Sequence, residues 1–278
     1  MGKLIVFWSP WHGQSKVTAS LAATAVHLNQ INEESVVVTH SQFGMANLED
    51  MFNKMEQRKR RFLYSNSGLS AAILRFKQSR LTKESVDQCL VPITTTGLFL
   101  LPGTEQSMDI VQETDTADIV FTLLAREVPK HYDWVMVDAL SGNNSLSMKL
   151  IEAADVVVVN LSQNATVWET FFKDRKDIVE KKNVFYILSG YEPSSKCNVK
   201  NFIKENAEYV KDEQVGIIPY NVGYMDAISF GSVARYLYSN EDAEKDDENY
   251  YFIKECKKTA EKIKKLAEKE AENSGNVL

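Results

Sequence analysis

The chain has 278 residues, of which 44% are hydrophobic and 25% charged, and its formal net charge is −6. This composition excludes an intrinsically disordered chain and argues against a protein whose whole surface binds nucleic acid. The three cysteines, Cys89, Cys197 and Cys256, are widely spaced. They form no C-x-x-C pair, so we expect reduced thiols and neither zinc nor an iron–sulfur cluster. No apolar run is long enough for a signal peptide or a membrane span, which predicts a cytoplasmic protein.

The first predicted element is a buried strand at Leu4–Trp8, followed by the loop SPWHGQSKVT and a helix over Val17–Leu28. A strand, a tight turn and a lysine at a helix start together aim backbone N–H groups at phosphate. The P-loop pattern G-x-x-x-x-G-K-[ST] is matched at Lys16. At three other positions of this pattern the chain has different residues, namely Pro10, Ser15 and Val17.

Further along the chain, short β-branched runs alternate with segments of helical spacing such as Ala165–Val179. The runs are apolar throughout, which is typical of strands covered on both faces of a parallel sheet. The alternation predicts an α/β fold, a doubly wound and mostly parallel sheet flanked by helices. The remaining predicted strands are Val36–Thr39, Leu98–Leu101, Trp134–Val137, Val156–Asn160, Val184–Leu188 and Val215–Ile218.

Two segments stand apart from this alternation. Residues 51–92 show no obvious strand and are predicted to be a helical insertion. Their basic run Arg58–Arg61 is consistent with DNA or an anionic membrane face, but a solvated helix face is the favoured interpretation. Residues 248–273 are predicted to form a final helix whose lysines suggest membrane contact, although docking on the sheet explains its apolar stripe equally well. With no linker in the sequence, we predict one domain over residues 1–278.

Several motifs occur in the order found in one known family. SPWHGQSKVT resembles the deviant Walker A loop S-x-K-G-G-x-G-K-T-T of ParA/MinD proteins, with Ser9, Gly13, Lys16 and Thr18 in register. VVVTHSQFGMANLEDMF is similar to the second strand and loop of that family, including Gly44, and YDWVMVDALSGNN is similar to its Walker B strand and switch II. LFLLPGT and VGIIPYNVGYMDAISFGSVARYL resemble later segments. Within this P-loop NTPase-like family, the middle of the chain looks most like the degenerate TadZ/CpaE-like branch.

The resemblance implies a nucleotide site for ATP or ADP with Mg²⁺. Lys16 would neutralise phosphate charge, Thr18 would contact an α-phosphate, and Asp138 would hold Mg²⁺ and is the candidate catalytic residue. The resemblance also implies a homodimer, with Trp11 as the candidate interface residue. The implied nucleotide-binding residues are Gly13, Gln14, Ser15, Lys16, Val17, Thr18 and Pro219.

Six positions depart from the family pattern, several of them in ways that affect hydrolysis. Trp11 replaces the signature lysine that reaches across the dimer, and losing such a cation costs on the order of 10³-fold in rate. Val17 replaces a direct Mg²⁺ ligand. His40 and Gln42 replace two aspartates, one of which would polarise the attacking water. The other two departures are Ser15, in place of a glycine, and Ser189, in place of the asparagine that reads adenine.

These departures predict weak nucleotide binding with hydrolysis absent or very slow. The protein would then act by binding, as a localisation or assembly factor of a Tad-type pilus or secretion apparatus. Its partner would be a pilus, secretion or polar-localisation protein, and it could be recruited to the inner face of the membrane. Two alternatives remain: an active ParA-type ATPase in chromosome or plasmid partitioning, and a nucleotide-free structural scaffold.

Overall fold

The computed structural model describes residues 1–32, 34–42, 47–54, 67–78, 81–103, 114–180 and 183–275. Within them, every run predicted as a strand forms one, and all lie in a single sheet in the order β3-β4-β2-β5-β1-β6-β7-β8. All pairings are parallel except that of β3 with β4. The predicted doubly wound α/β fold is therefore confirmed. The strands are β1 (Lys3–Trp8), β2 (Val36–His40), β3 (Val91–Pro92), β4 (Leu98–Leu100), β5 (Trp134–Asp138), β6 (Val156–Leu161), β7 (Val184–Tyr191) and β8 (Val215–Pro219).

The antiparallel strand β3 lies where the sequence showed no strand. Val91 and Pro92 pair with the far end of β4, and the connection closes through the Ile93 N–H, which donates to the Leu98 carbonyl at 2.8 Å. A two-residue edge strand has no periodicity to detect, and its Pro92 is tolerated because edge strands leave one backbone side unpaired.

Helices cover both faces of the sheet. Because successive side chains of a strand point to opposite faces, Val6 and Trp8 of β1 join one hydrophobic core, while Ile5 and Phe7 join the other. The α-helices are α1 (Val17–Asn32), α2 (Leu48–Phe52), α3 (Gly68–Gln78), α4 (Lys83–Asp87), α5 (Thr114–Thr122), α6 (Ser145–Ala153), α7 (Ala165–Asp174), α8 (Lys176–Val179), α9 (Val199–Glu205), α10 (Val222–Phe230), α11 (Val233–Ser239) and α12 (Tyr250–Gly275).

Some sequence-based expectations are changed or left open. The helix predicted over Ala165–Val179 is broken at Arg175, whose φ of −123° ends α7 and precedes α8. Gly44 and the basic run Arg58–Arg61 lie outside the described residues. The single domain and its helical insertion remain predictions. No helix among the described residues combines the length and apolar character needed to cross a membrane.

The candidate site lies at the carboxyl ends of the central strands of the sheet. β1 lies in the middle of the sheet between β5 and β6, and Phe7 is in register with Asp138, as is His40 of β2. In parallel sheets the loops at the carboxyl ends of the strands form the ligand crevice. Three segments therefore meet at the carboxyl end of the sheet: the P-loop-like loop after β1, the end of β5 and the end of β8.

Candidate functional site

The loop between β1 and α1 is held together by its own side chains. Ser9 and Ser15 are buried, and their hydroxyl oxygens lie 3.1 Å apart. The Ser9 hydroxyl also lies 3.2 Å from the Trp11 carbonyl oxygen. Ser15, which takes the place of a glycine in the P-loop pattern, therefore fills the base of the loop instead of leaving room for it to wrap around a phosphate.

Lys16 starts the helix from a left-handed conformation. Its φ is +45°, and every other described residue with a positive φ is a glycine. Its carbonyl accepts a hydrogen bond from the Ser20 N–H at 3.0 Å, which begins α1. For a residue with a Cβ atom, this backbone conformation costs about 1–2 kcal/mol. The strain lies at the one residue that matches the P-loop pattern, a place where strain is often associated with function.

The side chain of Lys16 runs across the ends of β7 and β8. A Cβ atom added to Gly190 would lie 3.3 Å from the Lys16 Nζ, so this glycine leaves room for the lysine stem. The Nζ lies 5.2 Å from the ring centroid of Tyr220, which follows the buried Pro219 at the end of β8. The structure thus brings the predicted residues Lys16 and Pro219 to one place, with the ammonium group placed against an aromatic ring.

Asp138 is the buried end of β5. Its Oδ2 accepts hydrogen bonds from the Thr18 hydroxyl at 2.5 Å and from the Gln42 side-chain amide at 3.2 Å. Its Oδ1 is buried and has no hydrogen-bond partner among the described residues. Burial raises the pKa of Asp138 to about 6, against the opposing effect of the Thr18 hydrogen bond. Thr18, expected to contact an α-phosphate, is hydrogen-bonded to this carboxylate in the structure.

The surroundings of Asp138 bear on the Mg²⁺ ion that the resemblance assigns to this carboxylate. The unpartnered Oδ1 of Asp138 fits an ion whose other ligands are phosphate oxygens and water, which is how Mg²⁺ is usually held beside nucleotides. Bound with a nucleotide, Mg²⁺ would neutralise phosphate charge. Gln42 contributes no carboxylate to such a site, and its amide already occupies the other oxygen of Asp138.

His40, at the end of β2, is paired with Glu49 of α2. The imidazole Nε2 lies 2.9 Å from Glu49 Oε1, and both side chains are buried. The same carboxylate oxygen accepts a hydrogen bond from the Gly103 N–H at 2.9 Å. Burial alone lowers the pKa of His40, but the hydrogen bond and charge of Glu49 outweigh it and raise the pKa above its usual value. Burial raises the pKa of Glu49, and the His40 interactions reverse this and lower it to about 2.

Glu49 is a residue that the sequence-based prediction missed. It lies in the segment NLEDMF, but nothing in the spacing of that segment indicates that its side chain turns inward toward a histidine nine positions earlier. His40 is accordingly neither solvated nor arranged as one of a group of three or more metal-ligating side chains, within the described part of the chain.

Ser189 and Trp11 also have defined surroundings. The buried Ser189 hydroxyl lies 2.9 Å from the Ser20 hydroxyl and 3.3 Å from the side-chain oxygen of Asn160. The position where the resemblance expected an adenine-reading asparagine is therefore part of a buried hydroxyl network. Trp11 is half-buried and packs against the core of its own chain.

Comparison with known proteins gives no match to any family model and no match to a curated protein. Solved structures do match. A ParA family ATPase from Chlorobium tepidum TLS aligns with a TM-score of 0.70 at 15% identity, over 93% of this chain and 97% of that one. The septum site-determining protein MinD of Pyrococcus horikoshii OT3, complexed with Mg-ADP, gives 0.65 at 16% identity over 97% and 99%. A putative plasmid partition protein from Borrelia burgdorferi B31, bound to AMPPNP, gives 0.68 at 15% identity over 95% and 99%.

At identities this low, the structural likeness shows the fold alone. The mostly parallel sheet, with a strand–loop–helix unit at its centre, has a P-loop NTPase-like α/β fold. Within that class, the chain has the fold of the ParA/MinD ATPases over nearly its whole length.

Proposed function

We propose that this ParA/MinD-like protein works by binding, as a localisation or assembly factor with a degenerate nucleotide site. It binds ATP or ADP weakly and hydrolyses ATP very slowly or not at all. We place it in the TadZ/CpaE-like branch, acting in a Tad-type pilus or secretion apparatus. The relatives of known structure include a septum site-determining protein, a ParA family ATPase and a putative plasmid partition protein. They support a role in positioning or partitioning.

The observation that carries the proposal is the state of the two positions where the family pattern has aspartates. The Gln42 amide donates to Asp138, and the His40 imidazole is paired with Glu49. Neither side chain is a carboxylate that could polarise an attacking water. A general base must lie within hydrogen-bonding reach of the water it activates, and neither of these two positions supplies one.

Positive charge is also displaced from the loop. The Lys16 ammonium lies against Tyr220, and the position of the signature lysine is held by the half-buried Trp11. Transition-state charge on a transferring phosphoryl group is normally stabilised by such cations. A nucleotide would have to draw Lys16 away from the Tyr220 ring, which is consistent with weak binding.

The proposal is tested by measuring hydrolysis and binding separately. We expect no turnover above background with Mg-ATP, with or without DNA, and weak binding of ATP and ADP by titration. The Trp11→Lys plus Val17→Thr double variant should bind nucleotide more tightly and still not turn over, because His40 and Gln42 remain. Brisk hydrolysis by the wild type, stimulated by DNA, would support an active partitioning ATPase instead. Absence of binding at millimolar nucleotide would support a nucleotide-free scaffold.

We also propose a homodimer in which Trp11 contributes to the interface. Sedimentation with and without ATP tests this assignment. We expect a dimer in both conditions, because contacts made by an aromatic side chain do not depend on phosphate charge. Trp11→Ala should shift the equilibrium toward monomer. A wild-type monomer in both conditions would refute it.

A further inference from the structure

The loop after β5 is fastened at nearly every residue. Residues 139–144, called here the strap, connect Asp138 to α6. At its start, the Ala139 N–H donates to the Phe7 carbonyl at 2.9 Å. The Leu140 N–H donates to the Ser41 hydroxyl at 3.1 Å, and the Leu140 carbonyl accepts from the Ser147 hydroxyl at 2.8 Å. The strap is therefore joined to β1, to the end of β2 and to α6 before it reaches its midpoint.

The middle of the strap is bound to the base of the phosphate-binding loop. The Gly142 N–H donates to the Ser9 carbonyl at 3.1 Å, and the Gly142 carbonyl accepts from the Trp8 indole N–H at 3.0 Å. Gly142 has a φ of +80°, a conformation that favours glycine. The backbone N–H and the carbonyl of Gly142 are thus both hydrogen-bonded, to the consecutive residues Ser9 and Trp8 at the end of β1.

Arg175 closes the strap from the other side. Its guanidinium carbon lies 4.8 Å from the centre of the buried Trp8 ring, and Nη1 donates to the Asn143 side-chain oxygen at 2.8 Å. Its Nε lies 3.2 Å from Asp177 Oδ1, which anchors the guanidinium within the break between α7 and α8. The Arg175 side chain is 11% exposed, so the guanidinium is largely shielded from water, whereas Asp177 is 60% exposed and Asn143 also lies at the surface. The last strap residue, Asn144, caps α6 by accepting from the Leu146 N–H at 3.0 Å.

We propose that the strap is a fixed element, clamped between Trp8 and Arg175, that holds the end of β5 and its Asp138 in one position against the phosphate-binding loop. The contacts of the chain itself set that position. Arg175 is a positioning residue in this arrangement: it touches Trp8 and Asn143, and it acts on Asp138 through the strap. The proposal concerns the free protein, so it is tested without nucleotide and does not depend on the proposed function.

Hydrogen exchange of the free protein tests the clamp. In the wild type, the Leu140 and Gly142 amides should exchange slowly. Arg175→Ala should speed their exchange about tenfold, because a charge-assisted hydrogen bond and a cation–π contact are lost together. Amides of β7 between Val184 and Leu188 serve as the internal reference and should keep their rates. Arg126→Ala is the matched control, since the Arg126 guanidinium also lies over a ring, at 5.6 Å from that of Phe121, away from the strap.

Two results would overturn the proposal. One is fast exchange of Leu140 and Gly142 in the wild type. The other is an Arg175→Ala protein in which the strap and β7 change by the same factor, since that pattern reports a general loss of stability. If Arg175→Ala does not fold, Arg175→Lys is judged by the same comparison, because it keeps the charge and loses the planar fork that reaches Asn143.

Discussion

The imidazole Nε2 of His40 lies 2.9 Å from Oε1 of Glu49, and this buried pair is located where the family pattern has an aspartate. The pair joins the end of β2 to α2 in the interior of the protein. Its consequences for stability are measurable, and so are those of three other features of the structure.

The His40–Glu49 pair predicts how stability depends on pH. The pKa of His40 is raised above 6.5 by folding, so its stabilisation is complete below pH 6.5 and is lost as the pH rises through the folded value. The pKa of Glu49 is about 2, so its stabilisation is complete above pH 4.5 and is lost as the pH falls toward 2. The contribution of the pair should therefore be largest between pH 4.5 and 6.5, as measured by urea unfolding at a series of pH values.

Glu49→Gln should lower the free energy of unfolding by about 3–5 kcal/mol near pH 6, because removing one partner leaves the other buried without its counter-charge. The loss should shrink above neutral pH. Glu127→Gln is the control: Glu127 pairs at 2.8 Å with the exposed Lys130, and such pairs contribute about 0–1 kcal/mol. Equal losses in the two variants, or a loss independent of pH, would contradict this account of the pair.

Gly103 is required by the packing of His40. A Cβ atom at position 103 would lie 2.2 Å from Cε1 of the imidazole. Gly103→Ala should therefore cost about 1–3 kcal/mol or more, through overpacking and displacement of the ring. Gly13→Ala separates this clash from a conformational effect. Gly13 has a φ of +75° with open space around it, so its cost should be about 1 kcal/mol. Chemical denaturation of both variants gives the comparison, and a smaller loss for Gly103→Ala would count against it.

The left-handed conformation of Lys16 predicts how two substitutions at this position differ in stability. Lys16→Gly and Lys16→Ala both remove the contact with Tyr220, but only glycine adopts a φ of +45° without strain. Lys16→Gly should therefore be more stable than Lys16→Ala by about 1 kcal/mol in urea unfolding. Both variants should bind ATP more weakly than the wild type. If the two have the same stability, position 16 is not held in the left-handed region in solution.

Tyr186 carries a buried hydroxyl that has no hydrogen-bond partner among the described residues. The ring lies among aromatic neighbours, with its centroid 5.7 Å from that of Phe202 and 5.6 Å from that of Phe172. Tyr186→Phe keeps this packing and removes a polar group, so stability should rise by about 1 kcal/mol. Tyr224→Phe is the opposite case, because its hydroxyl donates to the Ala19 carbonyl at 2.6 Å, and it should lose about 1 kcal/mol. If thermal unfolding shows that the Tm values of both variants shift in the same direction, this reasoning is wrong.

The sequence by itself determined the strands and the order of the fold's parts. Runs such as Val156–Leu161 are apolar at every position because both faces of the sheet are covered, and this signal is local and strong. The strand–loop–lysine–helix unit around Lys16 is likewise contiguous, so the sequence alone could identify it. Local signals failed at Val91–Pro92, which is too short to show a period, and at Arg175, whose backbone leaves the helical conformation within a stretch of helical spacing.

Only the tertiary structure decided what surrounds the site residues. The pairing of His40 with Glu49, the hydrogen bond from Thr18 to Asp138 and the contact of Lys16 with Tyr220 join residues whose separation along the chain carries no pattern. Burial then determines their chemistry, since the same carboxyl group has a raised pKa in Asp138 and a lowered one in Glu49. The physical reason is that desolvation and the nearest charge depend on the packed neighbours, which are brought together only when the sheet forms.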